Sequence, residues 1–296
     1  MKIKEILIRY AVEIKLFINR IRFWILSQFK DCIYLEGFSS GRNFGDAINL
    51  VLIKELSGGK YPISRRYVFP SIYKKQLKYF FIGSIIGGVD DKSIIYGAGA
   101  ISKTDKIRKH PLKVLSTRGA LTRKLLISQG VKCPEIYGDP ALLLPQYYYP
   151  SIPVVHKCAI VPHYEDISNH FVKKLIDEGG YFLNIRIKDS IYKEWKSKID
   201  EFCSSDIIIS SSLHGLIIGD AYRKKTLWVK FSDNILGDDF KFYDYYSSMG
   251  IDAIIPIDLR ETSYSLEELT EMATLKPVDK IDLDLFLAQN PWKFGK

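Results

Sequence analysis

Two rhythms of apolar and polar positions run along the chain. Short apolar runs rich in β-branched and aromatic residues alternate with longer stretches at helical spacing. Cys32–Gly37 predicts a strand and Asp46–Leu56 the helix after it. Ser93–Gly97 and Lys113–Thr117 predict strands, with a helix from Gly119 to Gln129 stopped by Gly130. A further short strand is expected at Glu135–Tyr137. The second half follows the same alternation, with strands at Lys157–Val161, Tyr181–Ile187, Asp206–Ser210 and Thr226–Phe231 and helices at Ser168–Glu178, Ile191–Phe202, Leu213–Arg223 and Gly237–Met249. Alternating strands and helices argue parallel sheets with helices on both faces. The expected class is α/β, two doubly wound Rossmann-like domains. They divide as 1–148 and 149–296, with the proline- and tyrosine-rich Leu144–Pro153 as the connection.

The first thirty residues stand apart. From Ile6 to Ile25, apolar residues recur at helical spacing, and seven basic residues face two acidic ones. Charges every few positions leave no apolar core for a signal peptide. Two readings are open: a basic helix lying on an anionic membrane surface, or a helix packed on its own domain. The whole chain of 296 residues carries a net charge of +9, with 47% apolar and 26% charged residues, so it can build sizeable cores and favours anionic partners. No Lys/Arg cluster with interleaved aromatics suggests nucleic acid. Cys32, Cys133, Cys158 and Cys203 are widely spaced, without zinc spacing, and read as buried reduced thiols of a cytoplasmic protein. No uninterrupted apolar stretch is long enough for a transmembrane helix.

In doubly wound domains ligands sit beyond the carboxyl ends of strands, so residues just after strands carry the information. Gly41–Asp46 is a glycine-bearing turn opening a helix, where Arg42 adds charge and Asn43 and Asp46 can cap. Arg118 stands at a strand–helix junction and can offer a planar fork to phosphate or carboxylate, or pair with a nearby Asp. Asp139, in Gly138-Asp139-Pro140, can cap the next turn or orient a substrate hydroxyl. Ser210-Ser211-Ser212-Leu213-His214-Gly215 opens a helix whose apolar face leaves position 214 unused. Hydroxyls at Ser211 and Ser212 suit an anion, and a histidine in a first turn should be held neutral and fit for proton transfer. His163 ends another strand. His110, His156 and His170 have polar surroundings and receive no role, and the Asp90-Asp91 and Asp238-Asp239 pairs read as solvated turns rather than metal ligands.

Taken in order, Gly41–Asp46, Tyr96–Gly99, Thr117–Thr122, Tyr137–Ala141, Val161–Tyr164 and Ser210–Gly215 resemble the polysaccharide pyruvyl transferases. The resemblance implies an architecture like that of the glycosyltransferase B fold, with the site in the cleft. It implies phosphoenolpyruvate as donor and co-substrate, with no further cofactor and no metal. The implied product is a pyruvate ketal on two hydroxyls of a sugar, within exopolysaccharide or capsule biosynthesis. By the same resemblance His214 and a basic residue near it handle the donor. The family often carries arginine two positions before that histidine, where this chain has Ser212. Arg118 then becomes the expected donor clamp, with Arg42 beside it, and Asn43, Asp46, Asp139, His163, Ser211 and Ser212 are expected around the substrates. The acceptor is a sugar or lipid-linked oligosaccharide, which would suit a helix at the inner face of the membrane. Alternatives are a nucleotide-sugar glycosyltransferase of the same architecture, and a non-catalytic member of a polysaccharide assembly complex whose pocket lacks convergent Arg and His.

Overall fold

The structure, a computed structural model, describes residues 2–29, 31–37, 43–64 and 76–292. Gly41 and the expected ligand Arg42 lie outside the described residues. Helix α1 (Lys2–Phe29) precedes strand β1 (Ile33–Glu36), helix α2 (Phe44–Leu56), and strands β2 (Ile63–Ser64), β3 (Lys78–Phe80), β4 (Ser93–Tyr96) and β5 (Lys113–Ser116). Helix α3 (Ala120–Ser128) follows, then a 3-10 turn at Pro140–Leu143 and a short helix α4 (Leu144–Tyr147). The second half contains β6 (His156–Val161), α5 (His170–Asp177), β7 (Tyr181–Phe182), α6 (Ile191–Cys203), β8 (Ser205–Ser210), α7 (Leu213–Ala221), β9 (Lys225–Lys230), α8 (Phe240–Ser247) and β10 (Ile257–Asp258). Helices α9 (Leu266–Met272) and α10 (Leu283–Ala288) end it.

The strands form two five-stranded sheets in the orders β2-β1-β3-β4-β5 and β10-β9-β8-β6-β7. Every pairing between these strands is parallel, which is why the strands are apolar on both faces. The alternation is visible residue by residue. Ala159, Val161, Ile208 and Trp228 face one large core, whereas Cys158, Ile160, Ile209 and Val229 face another under α5 and α9. In the first sheet Leu35, Tyr96 and Leu115 face the large core, and Phe80, Ile95 and Val114 face a third one with Leu126. The large core is shared between the sheets, because Phe44, Leu52, Leu142, Leu216 and Trp228 belong to it together.

The expected connection at 144–153 is half helical and anchored. Leu144 is fully buried, and the Tyr148 hydroxyl donates to Asp200 at 2.7 Å. The C-terminal segment returns to the first sheet: Phe286 stacks on Tyr96 at 4.5 Å, and Asn290 donates to the Leu56 carbonyl at 3.0 Å. A division at 148/149 therefore separates the sheets, but the chain's last turns pack on the first one. Glu135–Tyr137, expected as a strand, supplies only an isolated bridge between Tyr137 and Thr117. Of the thiols, Cys158 and Cys203 are buried, but Cys32 and Cys133 are half-buried.

Candidate functional site

Each sheet has a point where the chain leaves one strand for opposite sides in succession: β1, flanked by β2 and β3, and β6, flanked by β7 and β8. Loops diverge there and leave a crevice beyond the carboxyl ends. The two crevices meet. Past β1 come Asn43 and Asp46, past β3 Gly83 and Ser84, past β6 His163 to Glu165, and past β8 Ser212 to His214. All line one cavity of about 310 Å³, which Asn234, Leu236 and Lys241 help to close. Backbone contacts lock the halves around it: Phe44 N–H donates to the Ile185 carbonyl at 2.8 Å, and Asn43 bridges Arg186.

Asn43 caps α2 by accepting from Gly45 N–H at 2.9 Å, so it serves the helix as well as the cavity. Fully buried Asn49, nearly two turns on, donates to the Ile82 carbonyl and accepts from Ile82 N–H, at 3.1 and 2.9 Å. This pair fixes α2 against the turn that carries Gly83 and Ser84. Gly83 has φ +127°, a conformation that a side chain would strain.

His214 lies in the first turn of α7, half-buried at the cavity wall, and its Nε2 is buried with no hydrogen-bond partner among the described residues. Its pKa is pushed down to about 3, first by burial and then by Arg118, Lys241 and His163. The neutral state expected from the helix end is thus set mainly by desolvation. The imidazole rests on Gly45. A Cβ there would stand 2.0 Å from Nδ1 and 2.2 Å from Cγ. His163 is likewise depressed to about 3 by burial and by Lys241. Its backbone N–H donates to Ser211 Oγ at 2.9 Å, and Ser211 Oγ donates to buried Asp166 at 2.8 Å.

Lys241, on α8, supplies the positive charge inside the cavity. Burial and Arg118 lower its pKa to about 8, against the opposing pull of Asp239 and Asp46. Arg118, the expected clamp, is instead 1% exposed beneath the site and does not line the cavity. Its Nε donates to Asp244 at 2.9 Å, Nη2 to the Ala100 carbonyl at 2.7 Å, and Nη1 to Ser84 Oγ at 2.6 Å. A Cβ at Gly99 would lie 2.3 Å from its Cζ, so the backbone has closed around the guanidinium. Only its field and the Ser84 hydroxyl reach the cavity. The expectation of a free fork is corrected to a buried ion pair with Asp244, which also accepts from Thr122 N–H and Oγ1 at 2.7 Å each.

Asp139 is corrected in the same way. It caps the turn at Pro140, accepting from Ala141 N–H at 2.9 Å, and is 1% exposed away from the cavity. Ser211 is spent on Asp166 and the His163 backbone. Asn43, Asp46, His163, Ser212 and His214 are brought together as expected. Lys241, Ser84, Glu165 and Asn234 join them without a motif to mark them. For Lys241 a signal exists: Lys241 and Asp244 are the charged pair, three apart, in the otherwise aromatic Phe240–Tyr246. Among the described residues, no group of His, Cys, Asp and Glu could hold a metal ion.

The profile of the polysaccharide pyruvyl transferase family matches residues 43–233, well over half the chain, a span that includes the cavity residues from Asn43 to His214. The chain belongs to the polysaccharide pyruvyl transferase family. It is 26% identical over 217 residues to the succinoglycan biosynthesis protein ExoV of Rhizobium meliloti strain 1021, covering 71% of this chain and 62% of that protein. It is also 26% identical over 228 residues to the uncharacterized protein L143 of Acanthamoeba polyphaga mimivirus, covering 74% of this chain and 75% of that one. A functionally uncharacterized protein, KP1_0663, of Klebsiella pneumoniae subsp. pneumoniae NTUH-K2044 superimposes with a TM-score of 0.45 at 14% identity, over 78% of this chain and 93% of that one. Lys241 lies beyond the matched span, as does all of α8.

Proposed function

We propose that this family member transfers pyruvate from phosphoenolpyruvate onto two hydroxyls of one sugar, in the assembly of an extracellular or capsular polysaccharide. The observation that carries the reading is the pairing of neutral His214, whose Nε2 has no hydrogen-bond partner among the described residues, with Lys241 in one cavity, in a chain of this family. The similarity to ExoV supports a polysaccharide setting. The cytoplasm, where phosphoenolpyruvate is available, is the compartment of the proposal.

The chemistry needs an anion site and a proton carrier. Lys241 binds the donor's phosphate or carboxylate, and the buried Arg118 adds its field through Ser84. Lys241 supplies the charge that Ser212 cannot. His214 takes the proton of the attacking hydroxyl as its oxygen bonds to the donor's central carbon, and that proton is returned to the methylene carbon, which becomes methyl. The second hydroxyl then attacks the same carbon, the C–O bond to phosphate breaks, and phosphate leaves with the electron pair and takes up the second hydroxyl's proton. Asn43, Asp46, His163 and Ser212 are placed to hold hydroxyls. The net change is one diol plus phosphoenolpyruvate giving one ketal plus inorganic phosphate.

The architecture proposed is that of the glycosyltransferase B fold, with the cavity between two parallel sheets. Ligand pockets run from about 300 to 1,000 Å³. At about 310 Å³ the cavity sits at the small end, which favours a small donor over a nucleotide sugar. Two histidines and a lysine converging in it disfavour a non-catalytic role. The test is phosphate release from phosphoenolpyruvate with a panel of sugar and lipid-linked sugar acceptors, beside His214→Ala. Acceptor-dependent release lost in the variant is expected. A wild-type chain that does not bind phosphoenolpyruvate by calorimetry would overturn the proposal.

A further inference from the structure

Helix α1 projects described side chains into solvent over its middle turns. Every described side chain from Tyr10 to Ile18 is exposed. Its anchor is Phe23, buried edge-on against Tyr34 of β1 with ring centroids 5.7 Å apart. On a helical wheel Tyr10, Ile14, Ile18, Ile21, Trp24 and Ile25 fall on the side opposite Phe23, in a stripe about 120° wide. These six are between 38% and 66% exposed.

The charge pattern says what covers the stripe. By helical register, positions Lys4, Lys15 and Arg22 run along one edge and Arg9 and Arg20 along the other, where Glu13 is the one acid. Two such stripes laid face to face in a dimer would bring like charges together along both edges. Lipid phosphates would instead meet cations on both sides of an apolar stripe, with Tyr10 and Trp24 at the level of the headgroups. At about 1.5 Å per residue the helix is about 42 Å long. No helix among the described residues is long and apolar enough to cross a membrane, so the geometry is that of a helix lying in the surface plane.

We infer that α1 docks this protein on an anionic lipid bilayer through the Tyr10–Ile25 stripe. This goes beyond the proposed reaction and does not depend on it, because the test needs no turnover. Trp24 gives a built-in reporter: it is 45% exposed, while Trp195, Trp228 and Trp292 are 7%, 3% and 2% exposed. The full chain is mixed at low ionic strength with vesicles of phosphatidylcholine alone or with added phosphatidylglycerol. Co-sedimentation with the anionic vesicles, accompanied by a blue shift of tryptophan emission, is expected. Binding should fall about tenfold or more on neutral vesicles, in Ile14→Glu/Ile18→Glu, and in the charge-reversed Lys15→Glu/Arg22→Glu. By helical register all four positions fall about 80° or more round the helix from Phe23, and unchanged circular dichroism shows that the fold survives. Equal binding to neutral vesicles, no binding to anionic ones, or a dimer of the lipid-free chain that Ile14→Glu/Ile18→Glu disperses would each overturn the inference.

Discussion

Replacing Gly45 by alanine tests the site with one methyl group. The new Cβ would lie 2.0 Å from His214 Nδ1, where ordinary contact is about 3.5 Å, so the imidazole has to move by about 1.5 Å. Displacements of that size at a reacting group cost about 100-fold in turnover. Stability feels two opposed effects. Gly45 has an ordinary helical backbone in the first turn of α2, so alanine gains up to about 1 kcal/mol of helix preference. Overpacking against a buried ring costs about 1–3 kcal/mol. The net loss should be about 1 kcal/mol. His214 Cβ would itself lie 2.6 Å from the new methyl, so the clash is relieved only in a His214→Gly background, where the same change should stabilise by up to about 1 kcal/mol. The coupling between the two positions is then about 2 kcal/mol. Urea denaturation of the four proteins of the cycle measures it, and acceptor-dependent phosphate release measures the turnover. Unchanged turnover in Gly45→Ala, or an equal stability shift in both backgrounds, would refute the reasoning.

Lys241→Met should weaken phosphoenolpyruvate binding at pH 7 by about tenfold or more while leaving the melting temperature within a few degrees, as calorimetry and thermal denaturation would show. Asp244→Ala leaves the Arg118 guanidinium buried and unpaired, and should cost about 3–5 kcal/mol in denaturation experiments, enough to unfold much of the chain. Burial raises Asp220 to about 7, against the hydrogen bonds from Thr226 and Tyr245. Between about pH 4 and 7 the folded chain therefore keeps a proton that the unfolded chain releases, and stability should fall as pH rises through that window. Asp220→Asn keeps an acceptor for one of the two hydroxyls and offers its NH2 to the other, and should flatten that part of the stability–pH curve, which an unaltered slope would contradict.

What local rules govern is legible in the sequence. Periodicity finds most strands and helices, because a parallel strand buried on both faces leaves an unbroken apolar run, as at Cys158–Val161 and Ile207–Ile209. It finds Asn43 and His214, because caps and strand ends have fixed addresses. It does not find β3, a three-residue strand beginning with Lys78, whose ion pair to Asp90 allows a charge where the pattern calls for an apolar residue. That strand flanks the switch point, so the first crevice is only half visible from the pattern. Tyr181–Ile187 reads as one strand, but only Tyr181–Phe182 pairs with β6. The residues after it turn away to meet Asn43 and Phe44 of the first half. Such docking depends on residues far apart in the chain, and no local pattern records it. Arg118 illustrates the same limit. A free arginine and a paired one look alike in sequence until Asp244, 126 positions on, is seen against it.

The charges around His214 make its proton affinity depend on the donor. Burial, Arg118, Lys241 and His163 all oppose the imidazolium, which is why its pKa sits near 3. A donor phosphate beside Lys241 offsets the share of that opposition due to nearby positive charge, so the proton affinity of the histidine rises when there is a proton to move. Lys241 responds in the same direction: at about 8 its pKa leaves roughly half the molecules neutral at pH 8, and an anion draws them to the charged form. Phosphoenolpyruvate binding at pH 8 should therefore take up about half a proton or more per site, rising as pH increases, with affinity falling up to about tenfold per pH unit well above 8. Calorimetry in two buffers of different ionisation enthalpy reads this directly. Lys241→Met should lose most of the uptake at pH 8 and retain only what His214 contributes. Binding without proton uptake at pH 8 would separate Lys241 from the donor and move the anion site elsewhere in the cavity.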